Sequence, residues 1–202
     1  IRHYAASIEK LKKVTDPRPG EEIFGMTMIT LKGKTILVAD TNVQDFPSPE
    51  RLVKVSKSCV RVARLFGFDP KVAFLSHSTF GKPISKNTKH VRDAIDLLKR
   101  ENVDFDFDGE MQPDVALNPI YQDIYPFSKI VGNANILIMP ALHSAAISTK
   151  LMKVFGGGKL IGPLLIGLGS PIEVAPLRAT TSEILNLASI AAYSSDVIDY
   201  SN

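Results

Sequence analysis

The 202-residue chain contains no tryptophan and a single cysteine, Cys59. One cysteine cannot form an internal disulfide or a cysteine metal cluster, and no other metal site is expected. The longest apolar run is short and is interrupted by Gly162 and Pro163, so a membrane-spanning helix, which needs about 20 apolar residues, is excluded. The low cysteine content fits a reducing compartment, and we expect a cytoplasmic protein.

The chain also has little excess of either charge sign, since its net charge is only +3. The lysines are scattered rather than arranged along one face, so neither nucleic acid nor a membrane is an expected partner. Apolar residues make up 45% of the chain and charged residues 22%, which is typical of a globular domain with a hydrophobic core. Residues 1–13 predict an amphipathic helix with a basic end rather than a signal peptide.

Short apolar runs that alternate with helical patterns indicate the fold class. The β-branched runs at 23–31 and 34–40 flank Lys32-Gly33 and predict a β-hairpin. Ser48 and Pro49 have the signature of a helix N-terminus, and Gly67 is expected to end that helix. Further strands are predicted at 71–76, 103–109, 134–140 and 159–168, the last with a break at Gly162-Pro163, and further helices at 88–102, 144–155 and 181–193, with a short helix and loop at 113–125.

This order predicts an α/β fold, a three-layer αβα sandwich with a mostly parallel sheet. Ligands of such sheets bind beyond the carboxyl ends of the strands, so the loops after the strands are the places to search for a site.

The first candidate loop, "FLSHSTFGKP", directly follows a predicted strand. Ser76, Ser78 and Thr79 offer hydroxyl groups, and Gly81 would let a ligand approach the backbone. Such a loop before a helix can bind an anion. The alternative is an ordinary hydroxyl-rich loop. His77 lacks an identifiable partner and is interpreted as structural.

The second candidate loop is "MPALHSAAISTK", which also follows a strand. His143 and Ser144 lie where a helix is predicted to begin, and Lys150 lies about two turns further. An N-cap role is enough to explain Ser144. Adjacent His and Ser side chains do not face each other, so this pair is weak evidence for nucleophilic catalysis.

Three other segments have structural explanations. "FGGGKLIG" lacks the hydroxyl residue and the following helix of a nucleotide-binding loop. The carboxylates Asp108, Glu110 and Asp114 could form a metal cluster, but turn and capping roles are favoured because no histidine supports them. Thr180 and Glu183 have the spacing of a capping box, which competes with an acid–base role for Glu183.

Taken in order, five segments resemble the phosphate acetyltransferase and butyryltransferase family: "VAFLSHSTFG", "FDGEMQPDVALNP", "GNANILIMP", "IGPLLIGLGSPIEV" and "EILNLASIAA". The resemblance implies a two-lobed domain similar to isocitrate and isopropylmalate dehydrogenases, and a homodimer. Residues 1–20 would be a helix and linker of the first lobe. Residues 21–140 would form the second lobe with its hairpin, and residues 141–202 would return to the first lobe and add the C-terminal helix.

Active members of this family move an acetyl group between phosphate and coenzyme A with a Ser-Arg pair and a nearby acid. Aligned without a gap, the serine falls on Pro176, the arginine on Leu177 and the acid on Glu183. A second arginine, which contacts coenzyme A, falls on Val154. Arg178 would replace the lost arginine only after a one-residue shift of the alignment.

Two longer segments, "IYQDIYPFSKIVGNANILIMPALHSAAISTKLM" and "EVAPLRATTSEILNLA", resemble the transacetylase-like C-terminal region of bacterial NADP-dependent malic enzymes. The resemblance implies that a longer parent enzyme oxidatively decarboxylates malate. NADP and Mg²⁺ or Mn²⁺ would bind outside these residues, and the parent would form a higher oligomer. This region would bind acetyl-CoA as an inhibitor without transferring its acetyl group.

The residues expected to bind acetyl-CoA or its anionic groups are Ser76, Ser78, Thr79, Gly81, His143, Ser144, Lys150 and Lys153. No catalytic residue is expected, and Arg178 and Glu183 are the weak candidates. Two alternatives stay open: a working phosphate acetyltransferase that uses Arg178, Ser76, Ser78 and Glu183, and an oligomerisation module whose pocket is closed.

Overall fold

The computed structural model describes residues 4–31, 33–40, 43, 45–83 and 88–197. In chain order, the elements are α1 (Tyr4–Leu11), β1 (Phe24–Leu31), β2 (Lys34–Ala39), α2 (Pro49–Leu65), β3 (Lys71–Leu75), α3 (Lys89–Glu101), β4 (Asp106–Met111), α4 (Pro113–Leu117), a 3-10 turn (Pro119–Tyr121), β5 (Ile136–Ile138), α5 (Leu142–Phe155), β6 (Lys159–Ile166) and α6 (Thr181–Val197).

The strands form one six-stranded sheet in the order β4-β3-β5-β2-β1-β6. The pairs β4–β3, β3–β5 and β5–β2 are parallel, whereas β1 is antiparallel to both β2 and β6. The predicted mixed α/β fold with a mostly parallel sheet is therefore confirmed, as is the β1–β2 hairpin, although its turn residue Lys32 lies outside the described residues. Strands from 21–140 and from 141–202 share this sheet, and the division into lobes stays a prediction.

Both faces of the sheet are buried, because alternate side chains of each central strand pack on opposite helical layers. In β3, Val72 and Phe74 belong to a core with α2 and α3, to which Leu187 of α6 also contributes. Ala73 and Leu75 point to the other face, into a core with α4 and the start of α5. The three layers predicted from the sequence are present.

Local capping signals explain several helix boundaries. The Ser48 hydroxyl accepts a hydrogen bond from the Arg51 amide at 3.3 Å, and Pro49 is the first residue of α2. Gly67 follows that helix with a φ of 78°, a left-handed conformation that glycine adopts without strain. These predictions are confirmed.

Three expected boundaries were wrong. Helix α5 begins at Leu142 with Ala141 as its N-cap, so Ser144 is not the cap. The helix can begin there because the Asp45 carbonyl accepts a hydrogen bond from the Leu142 amide at 3.1 Å, which satisfies a donor of the first turn. Strand β4 continues to Met111, which is fully buried, instead of ending at Asp108-Gly109.

Strand β6 runs unbroken through Gly162-Pro163, and the irregularity appears as a register shift on its partner β1, between Met26 and Met28.

None of the helices in the described ranges is long and apolar enough to cross a membrane.

Candidate functional site

The carboxyl ends of β2, β3, β4 and β5 lie at one edge of the sheet because these four strands run in parallel. The loop after β3, residues 76–83, begins at this edge. Both candidate loops of the sequence analysis, after β3 and after β5, therefore lie at the edge where α/β sheets bind ligands.

The loop after β3 contains a tight turn at Phe80-Gly81. Thr79 and Lys82 exchange both backbone hydrogen bonds at 3.0 Å. Phe80 has a φ of 48° and Gly81 a φ of 79°, which are the two positive values of a type I′ turn. Gly81 is thus required by the turn, and Phe80 adopts a conformation that aromatic residues rarely take. Its ring packs on Tyr125 with the ring centroids 5.2 Å apart.

Glu110, at the end of β4, holds this loop in place. Its carboxylate is 1% exposed and accepts hydrogen bonds from the Ser78 hydroxyl at 2.8 Å and from the Gly81 amide at 3.0 Å. Arg92 of α3 forms an ion pair with it at 3.2 Å and also contacts the Thr88 hydroxyl. Buried carboxylates persist when they are paired and hydrogen-bonded in this way.

The three hydroxyls predicted to bind an anion are all buried within the protein. Ser78 is fully buried and donates to Glu110, and its oxygen lies 3.2 Å from that of Ser76. Thr79 accepts the amide of Gln112 at 3.2 Å. In this conformation the hydroxyls stabilise the loop, and contact between them and a ligand stays a prediction. His77 is exposed and lies on the same loop.

The second candidate loop leads into α5, and two of its predicted residues face solvent. His143 and Lys150 are exposed, whereas Ser144 is half-buried. His143 and Lys150 are two helical turns apart, or about 10 Å along the axis, and lie on the same side of the helix. Contact between these two side chains and an anionic ligand stays a prediction.

Lys153 and Glu183 are in direct contact, which links the end of α5 to the start of α6. The Lys153 ammonium lies 2.9 Å from the Glu183 carboxylate. The Thr180 amide donates to the same carboxylate at 2.7 Å, and the Glu183 amide donates to the Thr180 hydroxyl at 3.2 Å, so the predicted capping box is confirmed. The Thr180 amide, more than Lys153, lowers the pKa of Glu183 to about 2. Glu183 is ionised at neutral pH and has no proton to donate as a general acid.

The positions that the resemblance aligns with the family's serine and arginines are exposed. Val154 adjoins Lys153 and is 74% exposed, and Leu177 is 69% exposed. Pro176 and Leu177 form a turn closed by a 3.0 Å hydrogen bond from the Ala179 amide to the Pro176 carbonyl. Arg178 in the same turn is exposed. Apolar side chains therefore occupy the three positions that the resemblance aligns with the family's serine and arginines, and the role of these positions stays a prediction.

A second ionisable group, Glu173, was not identified from the sequence. It lies in a cavity of about 40 Å³ between the end of β6, α2 and α6, where it accepts the Leu165 amide at 3.0 Å. Burial raises the pKa of Glu173 to about 8, so this carboxyl is protonated at neutral pH. Arg18 and Arg61 also line the cavity, which has room for about one or two water molecules.

The acidic residues after β4 do not converge on a common point. Asp108 accepts the amide of Gly109, and Asp114 accepts the Tyr121 hydroxyl at 2.9 Å. Among the residues that the structure describes, no group of three or more His, Cys, Asp or Glu side chains is arranged to hold a metal ion.

The chain belongs to the family described as "Phosphate acetyl/butaryl transferase", whose model matches residues 1–192. An NADP-dependent malic enzyme of Rhizobium meliloti (strain 1021) is 44% identical over 192 residues, and the match covers 95% of this chain and 25% of that enzyme. A phosphate acetyltransferase of Bacillus subtilis (strain 168) is 32% identical over 155 residues, with 76% of this chain and 48% of that enzyme covered.

Among solved structures, a phosphotransacetylase from Streptococcus pyogenes superimposes with a TM-score of 0.89 at 28% identity. The superposition covers 96% of this chain and 60% of the streptococcal chain. The chain thus spans about a quarter of the malic enzyme and corresponds to its phosphotransacetylase-like part.

Proposed function

We propose that this chain is the phosphotransacetylase-like regulatory region of an NADP-dependent malic enzyme, and that it binds acetyl-CoA without transferring the acetyl group. In the longer protein, malate, NADP and Mg²⁺ or Mn²⁺ would bind outside these 202 residues. The family membership and the 44% identity to a malic enzyme support this assignment.

The proposed loss of acetyl transfer rests on one observation. Apolar residues, Val154, Pro176 and Leu177, stand at the positions aligned with the family's two arginines and its serine. Acetyl transfer between phosphate and a thioester develops negative charge, which needs preorganised donors or cations. Removing one such donor costs on the order of 100-fold or more in rate. Glu183 is ionised, and its charge is already balanced by Lys153. No cation is therefore left at the aligned positions to meet a phosphoryl group.

Acetyl-CoA would still have polar groups to bind on α5. His143 and Lys150 are exposed on one side of the helix, at a spacing that suits the separated phosphates of coenzyme A. Regulation further requires that acetyl-CoA bind an inhibited state of the parent more tightly than the active state, by about 1–3 kcal/mol in ordinary coupling.

Isothermal titration of the purified chain with acetyl-CoA tests binding, and an assay of CoA-dependent acetyl-phosphate turnover on the same sample tests catalysis. We expect saturable binding without turnover. Lys150→Ala should weaken binding by about 10-fold, as for loss of a charged hydrogen bond. Lys129→Ala removes another exposed lysine, from a different segment, and should leave the affinity unchanged.

Each alternative has its own outcome in this experiment. Turnover would contradict the proposal and identify a working phosphate acetyltransferase, with Arg178 as the first residue to replace. Absence of both binding and turnover would favour an oligomerisation module.

A further inference from the structure

The loop after β3 and the segment after α4 bring together three aromatic rings, Phe80, Tyr125 and Phe127, which we call the aromatic cluster. The ring centroid of Phe80 lies 5.2 Å from that of Tyr125 and 4.9 Å from that of Phe127, and the other two centroids are 6.1 Å apart. Phe127 meets its two neighbours at interplanar angles of 65° and 84°, so neither ring is stacked flat on it. Because Phe127 is also 70% exposed, a face of its ring is open to solvent.

Backbone hydrogen bonds hold the aromatic cluster in place from both segments. The Phe80 amide donates to the Glu110 carbonyl at 2.7 Å, and Phe80 occupies its turn at a φ of 48°. The Ser128 amide donates to the Tyr125 carbonyl at 3.1 Å, which closes a turn with Phe127 inside it. A left-handed conformation is costly for an aromatic residue, and such conformations are concentrated at functional sites. The cluster is therefore a preorganised surface, which loses little conformational freedom when a flat ring binds to it.

The aromatic cluster lies next to α5 along the edge of the sheet where the parallel strands end. Phe80 follows β3 and α5 follows β5, and these two strands are hydrogen-bonded neighbours. Phe80 and Tyr125 pack against the core to which Ala145 of α5 also belongs, so the cluster and α5 cover the same face of the sheet. Lys129 points away from the cluster, since its ammonium lies 4.0 Å from Asp106 at the start of β4.

From the exposed ring of Phe127 we propose that the adenine ring of acetyl-CoA stacks on the aromatic cluster, an inference that rests on the proposed binding of acetyl-CoA to this chain. Adenine is joined through a ribose to the phosphates of coenzyme A, and the exposed His143 and Lys150 of α5 are the residues proposed to meet those phosphates. Bases stack on aromatic side chains because every base has a π face, and this contact needs no charged partner. The cluster and α5 thus divide the nucleotide between them.

Titration calorimetry of the 202-residue chain with acetyl-CoA tests this contact. Phe127→Ala should raise the Kd about 10-fold, as for the loss of one stacking contact between a base and an aromatic side chain. Phe127→Tyr keeps an aromatic ring and should keep the affinity, whereas Phe127→Leu keeps only an apolar side chain and should not. The matched control is Phe46→Ala, at a ring on the loop after β2 that is 60% exposed and lies 5.1 Å from the ring of His90. This control should leave the affinity unchanged.

Nuclear magnetic resonance of the bound ligand gives a second readout, which a purely structural role of Phe127 would not change. The ring current of a stacked aromatic side chain should move the adenine protons of acetyl-CoA upfield on binding and leave its acetyl methyl protons unmoved. The upfield shift should be lost with Phe127→Leu and kept with Phe46→Ala. Far-UV circular dichroism and a thermal melt establish that each variant folds.

The results that would overturn the inference can be told apart. Absence of acetyl-CoA binding to the wild-type chain would overturn the adenine contact together with the proposed function. Binding that Phe127→Ala and Phe127→Leu leave unchanged, or that Phe46→Ala weakens instead, would overturn the adenine contact alone.

Discussion

Replacing Glu173 with glutamine should stabilise the protein at neutral and alkaline pH and leave its stability unchanged in acid. Glutamine keeps a carbonyl oxygen that can accept the Leu165 amide at the site where Glu173 accepts it at 3.0 Å. It removes only the ability to ionise. The charged groups that line the same cavity, Arg18 and Arg61, and the phenol of Tyr193 are unchanged by this substitution.

The magnitude follows from the difference between the folded and unfolded pKa values. The pKa of Glu173 is about 8 in the folded protein, and the ordinary value is 4.5. Between these values the folded state holds a proton that the unfolded state has released, so the free energy of unfolding falls as pH rises. The free energy of unfolding is lowered by about 3 kcal/mol at pH 7 and by about 5 kcal/mol by pH 8, relative to its value in acid. Glu173→Gln should recover most of this loss.

Urea denaturation of both proteins at several pH values between 4.5 and 9 measures the effect. The stabilisation by Glu173→Gln should grow steadily through this range and level off above pH 8. Glu183→Gln is a contrasting control, because the pKa of Glu183 is lowered to about 2. The ionised Glu183 side chain stabilises the wild-type protein above pH 4.5, and this stabilisation is lost as the pH falls toward 2. The Glu183→Gln variant should therefore be slightly destabilised at neutral pH. A Glu173→Gln stabilisation that does not vary with pH would refute the burial argument.

Three further substitutions test contacts of the fold and of the candidate loop. Ser78→Ala removes one donor from buried Glu110 and should cost about 1–3 kcal/mol in urea unfolding; an unchanged stability would mean that Ser78 does not hold the loop. Arg51→Ala removes a 3.3 Å ion pair from the buried carboxylate of Asp40 and should cost about 3–5 kcal/mol. In contrast, Lys54→Ala, at an exposed lysine paired with Glu22, should cost less than about 1 kcal/mol. Thr180→Ala removes the hydroxyl of the capping box and should lower the stability by about 1 kcal/mol, with fraying at the start of α6 visible in amide hydrogen exchange; equal exchange in both proteins would contradict the capping role.

The features that could be predicted from the sequence depend on neighbouring residues. The N-cap at Ser48 and the Thr180–Glu183 box are set within one helical turn, and the β1–β2 hairpin is set by its turn residues. The alternation of strands and helices was enough to predict the mixed α/β fold. The start of α5 was misplaced because a distant carbonyl, that of Asp45, caps Leu142.

The features that could not be predicted depend on contacts between distant segments. Glu110 was interpreted as a turn or capping residue because its partner Ser78 lies 32 positions away, in the loop after β3. The cavity around Glu173 is closed by α2 and α6, which no local pattern brings together. The periodicity of α5 indicates a row of apolar side chains on one side of the helix. It does not indicate that Ile147, Leu151 and Phe155 are exposed, since a buried row has the same spacing.

The resemblance supplied what neither spacing nor periodicity could, namely the alignment of Pro176 and Leu177 with the family's Ser-Arg pair and of Val154 with its coenzyme A-binding arginine. The contact between Lys153 and Glu183 is consistent with that alignment, because it joins the segments on which these positions lie. The hydroxyls of the loop after β3, by contrast, are committed to internal hydrogen bonds.

The most direct test of the proposed sensor is calorimetric titration of the purified chain with acetyl-CoA while acetyl-phosphate formation is monitored in the same buffer. Saturable binding without product is the result that we expect from the apolar residues at positions 154, 176 and 177 and from the compensated Lys153–Glu183 pair. Product formation that depends on coenzyme A would contradict the central claim that the catalytic positions have been lost.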